Sequence, residues 1–100
     1  MIGHVISSTH WDREWYLTVE NYRFRLVKCL DRVIENLNND PAWTSFFCDG
    51  QTRMIYDYLE VKPEQLPVIQ ELVKTGRLLV GPWCVQPDEQ MICGEAAIRN

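Results

Sequence analysis

Positive charge is sparse in this chain, and none of it is clustered. Ten lysines and arginines stand scattered among fourteen acidic residues, for a net charge of −4. Phosphate affinity comes from concentrated Lys and Arg, so neither nucleic acid nor a membrane surface is expected as a partner. No apolar run approaches the ~20 residues needed to cross a bilayer. The opening "MIGHVISSTHWDREW" has neither a basic n-region nor a long apolar h-region, so no secretory leader is expected and the location reads as cytoplasmic. The four cysteines (Cys29, Cys48, Cys84, Cys93) lack C-x-x-C spacing and sit among apolar or small neighbours. Buried or half-buried free thiols are the expectation, not disulfides or metal ligands. Repeats, low-complexity tracts and linker-like segments are also missing.

What remains is the composition of one folded domain: 100 residues, 46% hydrophobic and 24% charged. Along it, strand and helix signals alternate. "HVISS" favours a strand from Ile2 to Ser7, with His4 as an ordinary strand histidine. From Asn21 the period changes: Tyr22, Leu26, Val27, Leu30, Val33, Ile34 and Leu37 build one apolar helix face, with Arg25, Lys28, Arg32 and Glu35 opposite. "NLNNDP" ends that helix, because the residue before Pro41 is pushed out of helical geometry. Residues 43–50, "WTSFFCDG", read as a second strand. "QTRMIYDYLEV" is a short helix with Met54, Ile55, Tyr58 and Leu59 on one face. Pro63 opens another, striped by Leu66, Ile69, Leu72 and Val73, and Gly76 is placed to close it. "LLVGPW" is a third strand, and "GEAAIRN" begins a further helix.

Strands alternating with helices imply an α/β fold with a mostly parallel sheet. Three strands are few for a finished parallel sheet, which needs cover on both faces. The expectation is therefore that residues 1–100 are the first portion of a larger (β/α) domain. Unpaired strand edges also invite another copy of the chain, so a homo-oligomer is expected.

The chemistry-bearing stretch is "SSTHWDREWY". In extended backbone, residues i and i+2 face the same side, so His10 and Asp12 would aim at one point just after the first strand. Imidazole nitrogen and carboxylate oxygen together suit zinc. On spacing alone a hydrogen-bonded polar strand end is the plainer reading. The neighbours alter that. Trp11, Trp15 and Tyr16 place flat apolar surface beside the pair, of the sort a sugar ring can rest against. Asp49 follows the second strand, and Trp83, Asp88 and Glu89 follow the third, again at carboxyl ends, where α/β folds build their sites.

Together, "THWDREWY", "DGQT…DYLEVKPE", "GRLLVGPW", "QPDE" and "GEAAIRN", in that order, resemble the N-terminal part of the family 38 glycoside hydrolases, the α-mannosidases, in their bacterial form. The resemblance runs from about residue 2 to residue 100. It implies a retaining hydrolase of α-linked mannose whose catalytic domain is a barrel-like arrangement of seven parallel strands. It further implies a zinc ion that binds hydroxyls of the mannose being cleaved, with His10 and Asp12 as two of its ligands and Trp15 against the sugar. Many eukaryotic members carry Pro-Gly where this chain has Arg13 and Glu14. The family's nucleophile (an Asp that also binds zinc), its second zinc-binding His and its acid/base carboxylate match nothing here and are expected downstream. Asp49, Trp83 and Asp88 are candidates for site support. The chain alone is accordingly expected to be inactive. A mannosylglycerate hydrolase of the same family is the nearest alternative, and a non-catalytic, self-associating α/β module is the alternative of a different class.

Overall fold

The apolar stripe that starts at Tyr22 does form a helix, α1, over Val19–Asn39. Thr18 caps it, its hydroxyl accepting from the Asn21 amide and, at 3.1 Å, from the Asn21 side chain. Asp40 leaves helical geometry at φ −112° and ψ 102°, as a residue before proline should. The buried face is Leu26, Leu30, Val33, Ile34 and Leu37, while Arg25, Lys28, Arg32 and Glu35 are exposed. The computed structural model describes residues 1–87 and 91–100.

The remaining elements alternate as expected, in shorter form. Strand β1 is Phe46–Phe47 and β2 is Leu78–Leu79, paired in parallel with Phe46 opposite Leu78 and Phe47 opposite Leu79. Between them run α2 (Arg53–Val61), a 3-10 turn at Pro63–Gln65 and α3 (Leu66–Lys74). Helix α4, Gly94–Arg99, follows the parallel bridge between Gln51 and Trp83. The chain is thus a small mixed α/β unit with parallel strands. Gly76 closes α3 at φ 72°: its amide donates to Val73 O at 3.0 Å and the Arg77 amide to Leu72 O at 2.8 Å. That double bond is the Schellman closure, and the left-handed residue it needs favours glycine.

The first strand differs from expectation. Residues 2–7 form no strand, and Met1, Ile2, Val5 and Ile6 are exposed, as is His4. Pairing begins only at Ser8, which bridges Phe47 in parallel; the Phe47 amide donates to Ser7 O at 2.9 Å. Strand propensity needs a packed neighbour to act on, and "HVISS" has none before Ser7. The Trp43 indole fixes this entry point by donating to Ser7 Oγ at 2.7 Å.

One core unites the elements: the α1 stripe, Phe46 and Cys48, Met54, Ile55 and Tyr58, Ile69 and Leu72, and Leu78. The four cysteines are free, as the sequence suggests, although Cys93 is exposed rather than half-buried. Burial pushes the Cys48 thiol up to about 12, so it is an inert packing group.

Tyr58 is fully buried, and its hydroxyl donates to Asp31 Oδ1 at 2.8 Å. Lys62 Nζ donates to both Asp31 oxygens, at 2.7 and 2.6 Å, so one carboxylate ties α2 to α1. Partial burial pushes the Asp31 carboxyl up, but the hydrogen bonds from Lys62 and Tyr58, with the Lys62 charge, outweigh it and hold it below its ordinary value. The folded value therefore lies under the unfolded one of about 3.9. The ionised cluster stabilises fully above that unfolded value, and its contribution fades as pH falls through the depressed folded one. Asp31→Asn is expected to lower stability near pH 7 by roughly 1 kcal/mol, the scale of a partly exposed pair, and to flatten its fall below pH ~4. Urea titrations at several pH values measure both effects.

Candidate functional site

The loop that follows Ser8 carries the site residues. Just past β1 the chain turns through Asp49 and Gly50, both left-handed (φ 50° and 73°), and the Gln51 amide donates back to Cys48 O at 3.1 Å. Asp and Gly are the residues that accept such geometry most readily. This turn points the Asp49 carboxylate at His10. The His10 ring stands between two carboxylates, with Nδ1 2.6 Å from Asp49 Oδ2 and Nε2 3.6 Å from Asp12 Oδ1. An ionised carboxylate only accepts, so Nδ1 carries the hydrogen in the first contact.

The hydrogen bond to Asp49 raises the His10 pKa above its ordinary value; partial burial works against it, and the Asp12 and Asp49 charges add to it. The ring is 65% exposed, so this is a surface effect, not a buried charge relay. With Nδ1–H committed to Asp49, Nε2 becomes the ligand atom once it loses its proton. Two donors each ~2.0–2.2 Å from one ion can span the Nε2–Asp12 separation, and imidazole with carboxylate is a donor set that zinc accepts. The pair fits zinc as a partial site. Among the described residues, no three His, Cys, Asp or Glu side chains converge on one point. Asp49 lies behind the ring rather than beside Asp12, where an outer-shell carboxylate belongs.

His10 and Asp12 line a cavity of about 620 Å³ with Trp11, Arg13, Glu14, Val19, Gln51 and Val85 to Pro87. That volume lies in the range of small-molecule sites. Trp15 does not line it. The residue is 62% exposed and its ring stacks on Tyr16 with centroids 5.2 Å apart. The aromatic wall of the cavity is Trp11, whose ring also meets Tyr22 edge-on at 5.7 Å. Trp83 works through its backbone: its carbonyl accepts from the Thr52 amide at 3.0 Å and hydroxyl at 3.1 Å. Asp88 and Glu89 lie outside the described residues.

Two holding residues went unread in the sequence. Gln51 is 4% exposed and donates through Nε2 to Trp11 O at 3.1 Å. Asp57, 2% exposed on α2, accepts from Arg13 Nε at 2.8 Å and Nη2 at 3.3 Å, and also pairs with Arg53 Nη2 at 2.9 Å. Its position between Met54 and Tyr58 on the apolar face was a usable signal, since a buried carboxylate requires a cation.

Known proteins share both the motifs and the fold. The profile described as the glycosyl hydrolases family 38 N-terminal domain matches residues 1–100. A Halalkalibacterium halodurans protein that bears the name "Putative mannosylglycerate hydrolase" is 41% identical over 98 residues, covering 98% of this chain and 11% of its own length. The crystal structure of an alpha-mannosidase from Enterococcus faecalis superposes with a TM-score of 0.91 at 41% identity, over 95% of this chain and 11% of that one. A second Enterococcus faecalis structure, of a protein in glycosyl hydrolase family 38, gives a TM-score of 0.85 at 37% identity with equal coverage. The chain spans about a tenth of the length of the relatives it matches.

Proposed function

The chain belongs to the glycosyl hydrolases of family 38, and on that footing we propose that it carries part of the zinc and mannose site of a retaining α-mannosidase. The observation that carries this reading is the His10 ring, held on Nδ1 by Asp49 with Nε2 turned toward Asp12. In the proposal His10 and Asp12 are two zinc ligands, and Asp49 fixes the tautomer and orientation of His10. The parallel pairs of Ser8, β1 and β2 are then the opening strands of a seven-stranded (β/α) barrel-like domain. Trp83 and Asp88 remain site support in this reading. Trp15, exposed and stacked on Tyr16, remains the proposed sugar-contacting aromatic.

Bound zinc would supply a Lewis-acid hold on sugar hydroxyls. The chain's own residues do the rest of the local work. Asp49 keeps the Nδ1 proton in place, Gln51 and Asp57 fix the loop, and Trp11 gives the cavity an apolar wall. Retaining hydrolysis further needs two carboxylates about 5–5.5 Å apart, one nucleophile and one acid/base. The proposal assigns neither role to Asp12, Asp49 or Asp57 and places both beyond residue 100.

The name of the Halalkalibacterium relative favours a second substrate, mannosylglycerate, within the same family. Rates on an aryl α-mannoside, α-linked mannobiose and mannosylglycerate, measured on the protein at its natural length, separate the two. Expected is turnover that a chelator abolishes and zinc restores, with mannobiose the better natural substrate. A faster rate on mannosylglycerate transfers the assignment to the second reading, and turnover untouched by exhaustive chelation refutes the zinc site.

A further inference from the structure

His10 and Asp12 are held in different ways. His10 has its own partner in Asp49. Among the described residues Asp12 makes no side-chain hydrogen bond: its side chain is 37% exposed, and its ion-pair contact there is the His10 ring at 3.6 Å. What is fixed is the backbone on either side of it. Trp11 O accepts from buried Gln51, and Arg13 reaches Asp57, whose side chain is 3% exposed. The Arg13 contact uses Nε and Nη2 together on the two oxygens, and a planar fork fixes orientation as well as distance. Asp12 therefore sits in a short span clamped at both ends.

We infer that Arg13 is a positioning residue that sets the aim of Asp12 through its fork on Asp57. The inference rests on reading His10 and Asp12 as zinc ligands. It predicts that the shape of the guanidinium matters, and not its charge alone. Asp57 also pairs with Arg53, at 2.9 Å, so changing Arg13 should strand no buried carboxylate and the variants are expected to fold.

The test uses the protein at its natural length, with Arg13→Ala and Arg13→Lys beside Lys62→Ala. The last breaks the α1–α2 ion pair and leaves the anchors of the 10–13 loop intact. Calorimetry reads zinc affinity, and hydrogen exchange of residues 8–17 in the metal-free protein reads loop order without any metal. Arg13→Ala is expected to weaken zinc tenfold to a hundredfold, the scale of outer-shell losses at metal sites, and to speed exchange in 8–17 while sparing α1. Arg13→Lys should recover only part of both, and Lys62→Ala should change neither. Wild-type zinc affinity and wild-type exchange in Arg13→Ala would overturn the inference. Failure of the unaltered protein to bind zinc would refute the metal reading instead, and the exchange data would still decide whether Arg13 holds the loop.

Discussion

His10→Ala is expected to remove zinc binding and to lower the proposed mannosidase rate by about 10²–10³-fold, with the fold intact. The substitution deletes one of two ligands that the loop supplies, and with it the loop's nitrogen donor. Several kcal/mol of transition-state stabilisation is what a Lewis-acid metal supplies, and that loss corresponds to the stated factor. Structural damage should be slight, because the side chain is 65% exposed. Asp49→Ala should fall in between, since the ligand stays but its tautomer is no longer fixed. Calorimetric zinc titration, steady-state rates and a thermal melt on the three proteins check the ordering. Full zinc affinity in His10→Ala would remove the basis of the proposed centre.

Leu30→Ala is expected to cost about 2–5 kcal/mol, the span of large-to-small changes in well-packed cores. Leu30 is 1% exposed in the centre of the α1 stripe, so the void it leaves is surrounded by packed atoms. That is a large share of the ~5–15 kcal/mol by which a domain is usually stable. Arg32→Ala, on the exposed face of the same helix, should stay within ~0.5 kcal/mol. Denaturant titration of both variants at one pH gives the difference directly. A Leu30→Ala protein as stable as Arg32→Ala would mean that α1 does not form the centre of the core.

Residue spacing made some of this legible and hid the rest. The α1 stripe was readable because a 3.6-residue period repeats over about four turns, and Gly76 because a helix end needs a left-handed residue. Strand positions were readable and their lengths were not. "WTSFFCDG" narrows to Phe46–Phe47 and "LLVGPW" to Leu78–Leu79, since ladder length depends on partners from elsewhere in the chain. At the site, spacing drew attention to His10 and Asp12 but only their aromatic and acidic neighbours made them candidates, and Asp49 was singled out by its place after a strand. The exposure of Trp15 and the cavity role of Trp11 depend on how the loop bends, which no local pattern specifies. The Arg13–Asp57 pair joins residues 44 apart, and only the burial of α2's inner face hinted at it.

Those long spans bear on the order of events during folding. The bonds that hold the loop run from His10 to Asp49, from Trp11 to Gln51 and from Arg13 to Asp57, separations of 39, 40 and 44 residues. All of α1 lies inside each of these closures. Closing such a loop costs entropy that is recovered only when its ends find stable partners, so docking of the intervening helix should favour capture of the loop. All three catching residues also come from one stretch, 49–57, so an opening of that stretch releases these three bonds together. Zinc fingers couple metal uptake to folding itself. In the proposed reading the 10–13 loop is instead held by the polypeptide's own bonds, so an ion taken up by His10 and Asp12 would meet two ligands already placed.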